Sequence, residues 1–301
     1  MIKKKRYDEQ IGVGGLEISK REKELVNQVL DSNRLTYGPM TKNFEKKFAS
    51  LHDSKFGLFM NSGTSALLVA LAALKDRHGW SDGDEVIVPA VTFVATANIV
   101  LHCNMVPIFV DVERDTYNID PSKIEEKITK KTRALIPVHL LGLPADMDPI
   151  MEIAKMYRLS VIEDSAECMF ATYKGKKVGS IGDIGCFSTY VAHFLVTGVG
   201  GFSITSDESL AVDMRSLMNH GRDSIYIGCS DDKDKEGESL QEIIDKRFSF
   251  IHVGHSFRAT EMEAAIGLGQ IERMDEIVSR RADIAYKITK GLSNLSEFIQ
   301  L

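Results

Sequence analysis

The sequence predicts an α/β layered fold built on a mainly parallel sheet. Two patterns point there. Short apolar runs rich in Val and Ile alternate with amphipathic stretches through the first half of the chain. Those runs are continuous rather than alternating, as strands buried on both faces require. Strand–helix alternation then implies right-handed crossovers between parallel strands.

In order, "FGLFM" (56–60) reads as a strand and "GTSALLVALAALKDRHG" (63–79) as a helix. "EVIVP" (85–89) is a strand and "FVATANIVLHCN" (93–104) a helix. "VPIFVDV" (106–112) is a strand, followed by a helix from Pro121 to Ile128. "TRALIPVH" (132–139) is a strand, "MDPIMEIAKMYR" (147–158) a helix and "LSVIED" (159–164) a strand. After Asp164 the chain turns glycine-rich, with short strands in "YKGKKVGSIGDIGCFS" (173–188) and another in "GGFSITSD" (200–207). "ESLAVDMRSLMNHG" (208–221) is a helix that Gly221 stops. "GCSDDKDKEGESLQE" (228–242) reads as a polar surface excursion. Residues 259–292 have a helical period with a break near Asp275.

The chain has 301 residues, 44% hydrophobic and 27% charged, the mix of a globular protein. Its net charge of −6 offers a nucleic acid no general attraction. "MIKKKRYDEQ" is basic but no apolar core follows it, so it does not read as a signal peptide. No apolar run is long enough to cross a membrane, and the expected location is cytoplasmic. Cys103, Cys168, Cys186 and Cys229 are scattered, without the pairing that zinc or a disulfide framework needs, so no metal site is expected.

Three stretches carry chemistry. In "FMNSGTSALLVAL" a strand enters a small-residue turn and a helix. The helix N-terminus presents free N–H groups and a positive dipole end, which suit a phosphate held by Gly63, Thr64 and Ser65. An ordinary N-cap by Ser62 or Thr64 explains the same residues. "VIEDSAECMF" places Asp164 and Glu167 at the C-terminal end of a strand, where α/β sheets hold ligands. A carboxylate there can pair with a protonated ring nitrogen; capping by Glu163 and Asp164 is the alternative. "STYVAHFLVTGVGG" puts His193 five residues after Ser188. That histidine is either a core residue or a base near a reacting carbon.

Together these pieces resemble the DegT–StrS family of nucleotide-sugar aminotransferases, pyridoxal phosphate enzymes of fold type I. The resemblance runs through "LTYGPMTKNFEKKFA" (35–49), "NSGTSALLVAL" (61–71), "GDEVIVPAVTFVATANIV" (83–100), "PIFVDVERDTYNID" (107–120), "VIEDSAE" (161–167), "GSIGDIGCFSTY" (179–190), "MNHGRD" (218–223) and "GHSFRATEMEAAIGLGQIE" (254–272). It implies a three-layer α/β/α large domain over 1–275, with 276–301 starting a small C-terminal domain that is largely missing. It implies that Gly63, Thr64 and Ser188 contact the cofactor phosphate, that Phe93 stacks on the pyridine ring, and that Asp164 pairs with the ring nitrogen. Glu167 would sit near the cofactor's 3-hydroxyl. Asn219 would reach the phosphate of a neighbouring subunit, which implies a homodimer with shared active sites. Tyr37, His255 and Arg258 lie in motifs expected to face the substrate. His139 and His220 read as structural.

The family pattern carries a lysine where this chain has His193. Imidazole forms no stable Schiff base with an aldehyde, so the resemblance narrows to a branch that makes this replacement. Its members are nucleotide-sugar 3-dehydratases of dideoxysugar (O-antigen, lipopolysaccharide) synthesis, similar to GDP-4-keto-6-deoxymannose 3-dehydratase. They hold pyridoxamine phosphate non-covalently and take glutamate as amino donor. His193 would then be the acid–base group. Some members carry an iron–sulfur cluster, with cysteines after "GRD" and near the strand end. Here Ser224, Tyr226 and Ala166 stand there, and Cys168 and Cys229 alone are too few. A pyridoxal phosphate-dependent nucleotide-sugar aminotransferase homologue with an unusual lysine replacement and a catalytically inactive binding or regulatory relative are the alternatives.

Overall fold

The computed structural model describes residues 17–223 and 234–295. Expectations about the basic N-terminus, about Ser224, Tyr226 and Cys229, and about 228–233 and the last six residues lie outside that range. Seven strands form one sheet: β1 (Phe56–Met60), β2 (Glu85–Pro89), β3 (Val106–Val110), β4 (Thr132–Leu135), β5 (Ser160–Asp164), β8 (Ile184–Ser188) and β9 (Gly201–Thr205). A separate two-stranded ribbon pairs β6 (Thr172–Tyr173) with β7 (Lys176–Lys177). The main order is β1-β9-β8-β5-β4-β2-β3. Pairings from β3 across to β8 are parallel, and β9 runs antiparallel to both β8 and β1. Only β9 is therefore reversed, and the sheet is mainly parallel as predicted.

Side-chain alternation along the strands divides the core into layers. On one face Leu58, Met60, Val86, Val88, Ile162 and Ile184 pack against α3 (Gly63–His78), α4 (Val94–His102) and α6 (Glu208–Leu217). On the other, Phe59, Phe187, Phe202 and Ile204 meet α1 (Lys20–Asp31), α2 (Pro39–Leu51) and α8 (Glu261–Glu272). Further along that face Ile87, Leu135 and Val161 pack on α5 (Met147–Tyr157). The result is the α/β/α sandwich of fold type I.

Phe44, Phe48, Phe59, Phe187 and Phe202 are all fully buried and interlock at centroid distances of 3.9–6.3 Å. Such aromatic pairs add about 0.5–1.5 kcal/mol each beyond their burial. The N-cap of α2 is Gly38, which has no side chain to cap it. Glu261 supplies the cap from α8: its carboxylate accepts from the N–H groups of Gly38, Met40 and Thr41, each at 2.8 Å. This contact joins the "YGPMT" and "ATEMEAAIG" stretches, far apart in sequence.

Most predicted elements form where expected. The helix expected over 121–128 is instead two 3₁₀ turns, Pro121–Lys123 and Glu125–Lys127. That segment offers the core only Ile124 as a fully buried side chain, too little to pay for nucleating an α-helix. Part of the expected polar excursion, from Gly237, begins α7 (Gly237–Arg247). The expected helix break falls at Arg273, separating α8 from α9 (Met274–Leu292), and no residue of α9 is buried. Among the described residues no helix is long and apolar enough to cross a membrane.

Candidate active site

Because β1, β2, β5 and β8 point the same way, their C-terminal ends share one edge of the sheet. The start of reversed β9 lies there too. A cavity of about 440 Å³ opens at that edge. Gly63, Thr64, Phe93, Asp164, Glu167, Ser188 and His193 all line it. Seven residues predicted from separate motifs thus meet in one place.

At one end is the N-terminus of α3. Ser62 does cap it, accepting from Ser65 N–H at 3.0 Å, and the capping leaves Gly63 and Thr64 as the first helical residues facing the cavity. Glycine at 63 is required by close approach: a Cβ there would lie 2.8 Å from the Ser188 Cβ. A Cβ at Gly201 would lie 2.4 Å from the Gly63 nitrogen. Helix dipole, unpaired N–H groups and the Ser188 hydroxyl therefore converge, an arrangement suited to an anion.

Deeper in the cavity lies Asp164, 5% exposed. Thr96 Oγ1 donates to Oδ2 at 2.8 Å, and Ala166 N–H to Oδ1 at 3.2 Å. Burial pushes this carboxyl above its ordinary range, and those two hydrogen bonds oppose the shift. An ionised Asp164 therefore gains from a cationic partner. Thr96 is not singled out by the sequence; in the structure its hydroxyl also meets that of Thr92, just before α4, at 2.8 Å. Phe93 precedes α4 as its N-terminal boundary residue and stands 71% exposed at the mouth.

His193 sits on the loop between β8 and β9. The loop's neck is pinned: Thr189 N–H donates to Gly200 O at 2.9 Å, Thr197 N–H to Thr189 O at 3.0 Å, and the two threonine hydroxyls are 2.6 Å apart. His193 is half-buried. Burial pushes its imidazole pKa down, the Glu167 carboxylate pulls it up and the Arg281 guanidinium pushes it down. The net shift is downward, which favours a neutral ring, able to accept a proton. Among the described residues the ring has no hydrogen-bond partner. Glu167 itself accepts from Leu141 N–H at 2.7 Å. Leu141 has φ 53° and is 80% exposed beside the cavity.

Glu163, next to Asp164, plays a different part. It is fully buried and accepts from the N–H groups of Gly179, Ile181 and Gly182, each at 2.7 Å. Ala145 N–H donates to His139 Nδ1, so His139 carries its proton on Nε2 and donates to Glu163 at 3.0 Å. His139 is structural, as expected, and the capping alternative holds for Glu163.

Asn219, Tyr37, His255 and Arg258 do not line the cavity of the single chain. Asn219 follows α6, and its Oδ1 is buried without a hydrogen-bond partner among the described residues. The Tyr37 ring lies under the Arg215 guanidinium, 4.9 Å away. His255 stacks on Phe257 at 4.5 Å, and burial lowers its pKa. Arg258 reaches His220 Nε2 and Ser256 Oγ, both at 3.2 Å. Cys168 is buried and its thiol pushed up to about 12 by that burial. No group of three or more metal-ligating side chains occurs among the described residues.

Residues 16–301 match the model of the DegT/DnrJ/EryC1/StrS aminotransferase family. The chain is 39% identical over 287 residues to GDP-perosamine synthase of Caulobacter vibrioides, covering 95% of this chain and 71% of that protein. It is 35% identical over 271 residues to dTDP-4-dehydro-2,6-dideoxy-D-glucose 3-dehydratase of Saccharopolyspora spinosa, covering 87% of this chain and 59% of that protein. Among solved structures, the Escherichia coli GDP-4-keto-6-deoxy-D-mannose-3-dehydratase with bound hydrated PLP superposes with a TM-score of 0.83 at 28% identity, covering 94% of this chain and 73% of that one.

Proposed function

The chain belongs to the DegT/DnrJ/EryC1/StrS aminotransferase family, and we propose that within it the protein is a 3-dehydratase of nucleotide-linked 4-keto-6-deoxyhexoses. The family is one of sugar-modifying enzymes that use pyridoxal or pyridoxamine phosphate. The observation that carries the narrower reading is His193, whose side chain enters the cavity from the pinned loop where the family pattern has lysine.

The residues of the cavity fit the cofactor. Gly63, Thr64 and Ser188 would hold its phosphate, Phe93 would cover its ring, and Asp164, buried and short of a cation, would face the ring nitrogen. When bound, the cofactor supplies an amine that condenses with a sugar ketone and an electron sink beside it. Without a lysine at 193 it is held by these contacts alone. Val138, Leu140, Phe93 and Val199 give the ring region an apolar lining, which would limit water there once the cofactor and a second copy cover the exposed Phe93. With the cofactor bound, His193 would take at an imidazole nitrogen the proton lost from the cofactor's amine-bearing carbon and return it to the departing C3 hydroxyl, which leaves as water. A lysine could carry the same proton but would also recapture the cofactor. Glutamate would supply the amine and the two electrons, leaving as 2-oxoglutarate with release of ammonia.

A homodimer with shared sites belongs to this reading. Phe93, Val94 and Leu141, 58–80% exposed around the mouth, would be covered by a second copy. The unpaired Asn219 Oδ1 would find its partner there.

The test is borohydride reduction with pyridoxal phosphate present. The native protein is expected to gain no covalent cofactor at 193, and His193→Lys is expected to gain it there while losing dehydration. Covalent cofactor on a lysine of the native protein would sink the proposal.

A further inference from the structure

The loop that carries His193 has two faces. His193 lines the cofactor cavity, whereas Phe194 and Val196 line a second cavity of about 410 Å³ on the reverse side. The opposite wall of that second cavity is α9, through Ile277, Arg280, Arg281 and Ile284. Arg281 reaches from α9 to the loop. Arg281 donates from Nη2 to the His193 carbonyl oxygen at 2.7 Å, and its guanidinium lies 4.6 Å from the centre of the Phe194 ring. The carbonyl and the ring belong to consecutive residues, so a single planar group fixes the peptide between them. The loop's neck is already pinned at Thr189 and Thr197, but among the described residues His193 has just one other backbone tie, its own N–H to Tyr190 O at 2.9 Å.

We propose that Arg281 is a positioning residue for His193: it locks the peptide between His193 and Phe194 so that the imidazole points into the cofactor cavity. The inference rests on the function proposed for His193. A planar guanidinium suits this work, because it can donate along one edge while stacking on an aromatic face. A lysine can make the hydrogen bond but cannot keep the stack and the fork together. Positioning of this kind matters because displacement of a reacting group by about 1 Å can cost on the order of 100-fold in rate. The charge of Arg281 acts in the same direction as burial on the His193 ring, against the pull of Glu167. Asp164 is the other charged group lining the same cavity. The link also ties the acid–base group to a helix with no buried residue, so a movement of α9 would be felt at His193.

The experiment compares Arg281→Met and Arg281→Lys with the native full chain. It reads the His193 ring by NMR titration of histidine-labelled protein, assigned with His193→Asn. Pyridoxamine phosphate affinity, thermal midpoint, and kcat and KM are measured alongside. In Arg281→Met the His193 resonances should move and titrate at higher pH, and kcat should fall about tenfold or more. KM, cofactor affinity and thermal midpoint should stay close to native. Arg281→Lys should recover the titration more than it recovers kcat, since charge returns and the stack does not. Unmoved His193 resonances, or a loss of rate matched by equal losses of cofactor affinity and thermal stability, would overturn the assignment. The NMR and binding readouts do not depend on which sugar reaction the enzyme runs. Failure of the dehydratase reading therefore leaves them interpretable.

Discussion

Glu163 and Asp164 are adjacent carboxylates on β5, and pleating turns them to opposite faces of the sheet. Glu163 meets four donors: the His139 ring and three backbone N–H groups of the 179–182 turn. Asp164 meets two, from Thr96 and Ala166, and looks into a cavity. One region is complete as a single chain. The other opens on the cavity: Asp164, its carboxyl pushed above the ordinary range by burial, the N-terminus of α3, and the His193 imidazole, which has no hydrogen-bond partner among the described residues. The difference separates fold from function along one strand. Glu163, with its donors matched, serves stability; Asp164, with fewer donors and a raised pKa at a cavity wall, has the pattern expected of a binding group.

Removing the satisfied carboxylate should have the largest effect on folding. Glu163→Ala strands four donors in a buried region and should cost about 3–5 kcal/mol, read from denaturant unfolding. A change below about 1 kcal/mol would mean that the turn at 179–182 does not depend on Glu163.

Asp164→Asn should act in the reverse sense on the cofactor-free protein. The folded-state pKa of Asp164 lies above the ordinary 3.8. Its contribution to stability is thus fully present below that value and is lost as pH rises through the raised pKa. The asparagine variant lacks this loss. Its unfolding free energy, relative to native, should therefore climb with pH above 3.8 and level off once Asp164 is fully ionised. The same variant should weaken cofactor binding about tenfold or more, equivalent to at least about 1.4 kcal/mol, in a fluorescence titration. A variant that bound cofactor normally would erase the distinction between the two carboxylates.

Glu167→Gln is the finest probe. It keeps the shape of the contact to Leu141 N–H and removes the charge, so the expected stability change is about 1 kcal/mol or less. Because Glu167 pulls the His193 pKa up, the imidazole should titrate lower in the variant. An unchanged or higher titration point would separate Glu167 from His193.

Much of this was legible in the sequence, and for physical reasons. Period and composition located the strands and most helices. The C-terminal ends of parallel strands share one edge, which is why the stretches around Gly63, Asp164 and Ser188 converge. What stayed hidden depends on approach between distant segments. Nothing local announces that Glu163 clamps the 179–182 turn, that Glu261 caps α2, or that Arg281 crosses to the His193 loop. Leu141 adopts φ 53° within "HLLGLP", one residue before Gly142, where the sequence would place the positive φ. Pro121 and the charged run after it carry helix signals, but only one fully buried apolar side chain follows them, and the segment stops at two 3₁₀ turns.

The central claim is that His193 turns this site from amino transfer to loss of the C3 hydroxyl. The most direct test is the mass of the sugar product after incubation with cofactor, glutamate and a nucleotide-linked 4-keto-6-deoxyhexose. Dehydration followed by hydrolysis replaces the C3 hydroxyl with hydrogen, so the product should be lighter than the substrate by one oxygen atom, with ammonia released in equal amount. A product that retains the C3 oxygen and carries an amino group in place of the ketone, without ammonia, would contradict the account.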